Sequence, residues 1–101
     1  MNNEPVRVPL DQVRDSFEVL MRHVEARVAG GDVALANDLF WAVPPRAMYD
    51  VTSEPGELTI GQVSESWDHL RDLLADQDRA VGHHLVWLAD VLRAIGLEHP
   101  A

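Results

Sequence analysis

The sequence predicts an all-α, mainly helical fold: a three-helix bundle over about 9–29, 60–75 and 79–95, tied together by a structured 31–58 connection. Three observations predict it. Apolar residues recur at steps of three and four in three separate stretches, the spacing that gathers them on one face of a helix. Glycines stand where two of those stretches stop, at Gly30-Gly31 and Gly96, and glycine readily takes the left-handed conformation that closes a helix. A capping box stands where the second stretch begins.

In the first helix, Leu10, Val13, Phe17, Leu20, Val24 and Val28 form the stripe. Pro9 suits a first turn, where a missing N–H does no harm. Asp11 and Asp15 lie near the positive end of the helix dipole, and Arg27 lies near the negative end. The second helix is expected to open on Thr59-Ile60-Gly61-Gln62, with the Thr59 hydroxyl accepting the Gln62 N–H, and with Leu58 and Val63 as a hydrophobic staple. Its expected buried stripe is Ile60, Val63, Trp67, Leu70 and Leu74. Asp76-Gln77-Asp78 reads as a polar turn whose aspartates can cap the next helix.

The third helix carries Val81, Leu85, Leu88, Leu92 and Ile95 on one side and Val86, Trp87, Val91 and Ala94 on others. A helix apolar nearly all round is central or covered on a second side, so a homodimer through 79–95 is an open alternative. The 31–58 connection is too long to be structureless. Val33-Ala34-Leu35 is expected as a short strand paired with Val6-Arg7-Val8, and Pro44 to Tyr49 as a short helix. Ser53-Glu54-Pro55-Gly56 reads as a turn. The whole of 1–101 is expected to form a single helical domain, with 1–6 and 98–101 frayed.

Composition narrows function. Seventeen acids against eight bases give a formal charge of −9. Phosphate backbones and anionic lipid are bound through clustered Lys and Arg, so neither nucleic acid nor membrane is expected as a partner. All eight bases are arginine, which with the Ala, Val, Leu and Asp content suggests a GC-rich bacterial genome. There is no cysteine, which excludes disulfides and thiolate chemistry. No apolar run approaches the roughly 20 residues of a membrane span. The start Met1-Asn2-Asn3-Glu4-Pro5 does not read as a signal peptide, so a cytoplasmic location is expected.

Three groups of residues are candidates for a site. Phe40, Trp41 and Tyr49 concentrate aromatic character in one connection, and aromatic anchors dominate binding hot spots; the blander reading is that they fasten the loop to the bundle. Glu65, Asp68, Asp72 and Asp76 share one face of the second helix and can dock a basic partner, or form a solvated face with an Asp68–Arg71 pair. Asp72 lies near a helix C-terminus, where a negative charge is disfavoured. Among His23, His69, His83, His84 and His99, no H-x-x-x-H pair supplies the usual helical ligand spacing. His84 is expected as a hydrogen-bonded core residue. No phosphate loop, nucleophile elbow or supported acid pair occurs, so no catalytic residue, cofactor or metal is expected.

Phe40-Trp41-Ala42-Val43-Pro44, then Tyr49-Asp50-Val51, then Glu57-Leu58-Thr59-Ile60-Gly61-Gln62-Val63-Ser64 resembles a family of small acidic bacterial proteins to which no function is assigned. The likeness extends through Trp67 and Leu85-Val86-Trp87-Leu88. It implies no activity or site residue. In its acidic, helical character the chain is similar to bacterial immunity and antitoxin-like proteins. The function expected is a non-catalytic protein-binding module for a basic partner, with contacts at Phe40, Trp41, Tyr49, Glu65, Asp68 and Asp72. The alternatives are a small-ligand or metal-binding protein using His69, Asp72 and His83, and a structural homo-oligomer.

Overall fold

Pro9 opens the first helix, α1, over Leu10–Glu25, its carbonyl accepting the Val13 N–H at 3.1 Å. The computed structural model describes residues 5–99 and divides the chain into two compact units, one ending at Ala34 and the other beginning at Leu35. In the first unit α1 is the one regular element among the described residues. It ends before the expected residue 29, with the Arg27 guanidinium donating to the His23 carbonyl. Gly30 and Gly31 follow with φ of 84° and 80°, values that a side chain would strain.

The second unit holds strand β1 (Leu39–Ala42), helix α2 (Pro45–Met48), strand β2 (Thr59–Gln62), helix α3 (Val63–Ala75), a 3-10 turn (Gln77–Arg79) and helix α4 (His83–Glu98). The expectation of an all-α three-helix bundle is therefore corrected: among the described residues there are four α-helices and a two-stranded antiparallel sheet. Thr59-Ile60-Gly61-Gln62 is the segment that overturns it, being a strand and not a helix start. Two of its residues are β-branched, which favours extended backbone. Its register pairs Phe40 with Gly61 and Trp41 with Ile60. A Cβ at Gly61 would fall under 3.0 Å from three carbons of the Phe40 ring, so the ring lies over the bare glycine. The expected pairing of Val33–Leu35 with Val6–Val8 does not form: neither segment is a strand, and the sheet among the described residues is β1 paired with β2.

The cap of α3 also comes from far away in the chain. The Asp38 carboxylate accepts the Ser64 N–H at 2.7 Å and its hydroxyl at 2.9 Å, while the Asp38 carbonyl accepts the Val63 N–H at 2.8 Å. The reciprocal Thr59–Gln62 box is not used. Asp38 thus ties the entry of β1 to the start of α3, satisfying donors that a helix N-terminus otherwise leaves open.

From α3 the chain turns back through the 3-10 segment, where Asp76 accepts the Asp78 N–H and so caps this short turn; neither aspartate caps α4 as expected, because that helix opens later, at Gly82, with no side-chain cap. Ser66 meets Asp90 and His69 meets Trp87, a reciprocal order that makes α3 and α4 antiparallel. Their seam contains Val63, Ser66 and Leu70, the buried residues of α3. The expected stripe is thus rotated: Trp67 and Leu74 are exposed, and a serine takes a buried place. Ser66 fits there because its hydroxyl donates to Asp90 at 3.0 Å, and Asp90 also lies 3.7 Å from Arg93.

Helix α4 starts later than expected and continues through Gly96 to Glu98. Gly in a helix interior costs about 1 kcal/mol. Running on delivers the Glu98 carboxylate to the N–H groups of Ala36 and Asn37, at 2.6 and 3.3 Å. Two carboxylates, Asp38 and Glu98, therefore fasten the strand entry to both helices.

Candidate protein-binding surface

Strand alternation divides the ribbon into two faces. Phe40, Ala42 and Gly61 are half-buried, whereas Leu39, Trp41 and Ile60 point the other way and are exposed. Trp41 is 68% exposed and sits directly across from Ile60. Both strands of a two-stranded ribbon are also edges, with backbone groups available to a further strand.

The six sequence-selected residues fall into four environments. Phe40 is occupied in packing over Gly61. Trp41 is on the uncovered face. Tyr49, at the end of α2, is 85% exposed, with Met48 and Val51 exposed beside it in sequence. Glu65, Asp68 and Asp72 lie on the exposed side of α3. Asp68 is 3.6 Å from Arg71, and both are open to solvent; such a pair is worth ~0–1 kcal/mol. Among the described residues no hydrogen bond, ion pair or ring contact joins Trp41 or Tyr49 to the α3 carboxylates.

Charge around the aromatic ribbon is one-sided. From Leu35 to Gln62 the acids are Asp38, Asp50, Glu54 and Glu57, and the one base is Arg46. Asp50 is held ionised below the usual carboxylate range, first by the Thr52 hydroxyl donating at 2.7 Å and then by the Thr52 N–H at 3.2 Å. The exposed apolar side chains are thus embedded in a segment that carries negative charge.

A second constellation surrounds Trp87. His69 stacks on the indole at 3.7 Å with an interplanar angle of 11°, while His83 and His84 meet it edge-on at 4.7 and 4.9 Å. Ring pairs of this kind are worth about 0.5–1.5 kcal/mol beyond the area they bury. The Val81 N–H donates to His84 Nδ1 at 3.0 Å, so His84 is engaged at the start of α4. His69 and His83 are brought together, through the indole between them. Asp72 does not join them: among the described residues no three His, Asp or Glu side chains converge as a metal site requires.

Sequence reasoning passed over Leu39 and Ile60 as surface residues, because Ile60 was assigned to a buried helix stripe. It also missed Asp38, whose partner lies 26 residues on. The lone acid Asp90 within the apolar run Leu85–Ala94 is the signal that could have pointed to Ser66. Among the described residues no helix is long and apolar enough to cross a membrane. No family model, curated protein or solved structure matches the chain.

Proposed function

We propose that the protein is a non-catalytic binding module that receives a basic polypeptide segment on the Leu39–Trp41–Ile60 face. One observation carries this reading: a large aromatic and two branched aliphatics stand uncovered on one face of the ribbon, within a segment that has four acids and one base. Clustered exposed apolar groups mark interaction sites more often than isolated ones do. A Trp anchor suits the centre of such a site. The surrounding carboxylates favour Arg and Lys on the partner and speed the encounter at low salt. Tyr49 and the acids of α3 extend the same preference.

Selection from a displayed random-peptide library tests it. Peptides with Lys or Arg flanking an apolar anchor are expected, with binding lost in Trp41→Ala and weakened at high salt. Enrichment of acidic peptides, or binding indifferent to Trp41→Ala, would overturn the assignment.

A further inference from the structure

We infer that the start of α4 is a proton-operated latch, closed by neutral His84 and opened when that imidazole is charged. Helix α4 has Gly82 as its N-cap, with no side-chain cap. An acceptor comes from inside the first turn instead: the Val81 N–H donates to His84 Nδ1 at 3.0 Å. An N–H can only donate, so Nδ1 carries no proton and the ring hydrogen is on Nε2. Protonation removes this acceptor. The Val81 carbonyl lies 3.3 Å from the same nitrogen and already accepts the His84 N–H at 3.0 Å. A charged ring therefore competes with the backbone for the carbonyl that closes the turn. The Leu85 N–H, on the Gly82 carbonyl at 3.1 Å, belongs to the same turn.

The surroundings decide which way charge acts. His83 and His84 stand in the first turn of α4, the positive end of its dipole, where a cation is disfavoured. The fixed charges nearby are Glu65 and Asp72 on α3, one turn either side of His69; Asp76, Asp78 and Arg79 in the 3-10 turn; and Asp90 on α4. Asp76 accepts the Asp78 N–H, and Asp90 is engaged by Ser66 and Arg93. Among the described residues no carboxylate forms an ion pair with His84. These acids do not oppose an imidazolium, and none replaces the lost acceptor. His69 behaves in the opposite way. Its ring lies flat on the Trp87 indole, so charging it adds a cation–π attraction across the α3–α4 seam. The seam stays shut while the first turn of α4 opens. Histidine is the side chain that ordinarily charges between pH 5 and 8, which sets the working range.

Amide exchange followed by NMR at the two ends of that range, expressed as protection relative to the unfolded chain, tests the latch. Protection at Val81, His84 and Leu85 is expected to fall about fivefold on acidification, the worth of one hydrogen bond, while Leu70 in the seam keeps its own. The midpoint should coincide with the titration of the His84 ring carbons, and not with that of His69 or His83. His84→Asn, which offers an uncharged carbonyl oxygen in place of Nδ1, should hold the turn closed at both ends of the range. His84→Ala should leave it open at both; circular dichroism checks that each variant stays folded. A step retained in His84→Asn, a midpoint that follows His69 or His83, protection lost equally at Leu70, or no step across the range would each overturn the inference.

Discussion

In α1, Leu10, Val13, Phe17 and Leu20 share one face and remain exposed; in α3, Val63, Ser66 and Leu70 share one face and are buried. Both helices are amphipathic, and α1 is the longer. The difference lies in what surrounds each element within its own unit. Residues 76–82 are short enough to fold α4 back onto α3, and the apolar character of α4 supplies the cover. Residues 5–34 offer α1 no second element. A helical stripe therefore states that a helix has something to cover, and only the neighbouring element decides whether its own unit covers it. Long-range ties should accordingly govern stability in the second unit, and local ones should not.

The largest expected effect breaks the comparison at its centre. Leu70→Ala removes a side chain that is 8% exposed, and buried Leu→Ala changes cost about 2–5 kcal/mol. Leu20→Ala, the matching change on α1, should cost under about 0.5 kcal/mol at low protein concentration, as surface changes do. Denaturant melts of the two variants check this. Equal losses would mean that α1 is covered as thoroughly as α3.

Next comes the ribbon. Gly61→Ala forces the Phe40 ring to move, and overpacking of this kind costs about 1–3 kcal/mol. Gly56→Ala meets nothing within 4 Å and should leave the melt unchanged or raise it slightly, by reducing the freedom of the unfolded chain. The same contrast explains what could be read in advance. The α2 segment was legible, because Pro44-Pro45 acts on its own neighbours. The left-handed backbone at Gly30-Gly31 was legible for the same reason, although α1 ends at Glu25, before the glycines; Asp76 does cap, but the 3-10 turn and not the helix it was expected to open. Thr59–Gln62 was misread because its local capping pattern is sound; what overrides it is Phe40, far away in the chain. The rotation of α3 was hidden likewise, since Ser66 looks solvent-facing until Asp90 is placed beside it. Of the site candidates, the exposure of Trp41 and the half-buried packing of Phe40 follow from strand alternation, which could not be applied before the strand was known.

A smaller effect separates the two kinds of cap. Asp38→Ala removes the acceptor for both Ser64 donors, and loss of an N-cap costs about 1 kcal/mol. Because Asp38 also fixes the approach of β1, amide exchange should quicken in β1 and in the first turn of α3 together. Thr59→Ala, which would have broken the expected capping box, should leave exchange in α3 unaltered.

The smallest effect tests whether a local interaction stays local. Asp50 owes its lowered pKa to Thr52, two residues away. A carboxyl depressed in the folded state contributes stability above its unfolded value, here the ordinary 3.8, and that contribution disappears as pH falls through the lower folded value. Thr52→Val removes the hydroxyl donor, so the Asp50 titration, followed by its side-chain carbon resonance, should move upward toward the ordinary range. Since Asp50 is fully exposed and bonded only to its own turn, the unfolding midpoint of the second unit should not follow it. A midpoint that shifts in step with the Asp50 titration would show that the 43–58 connection is coupled to the α3–α4 seam, and the distinction between local and long-range ties would then fail at this segment.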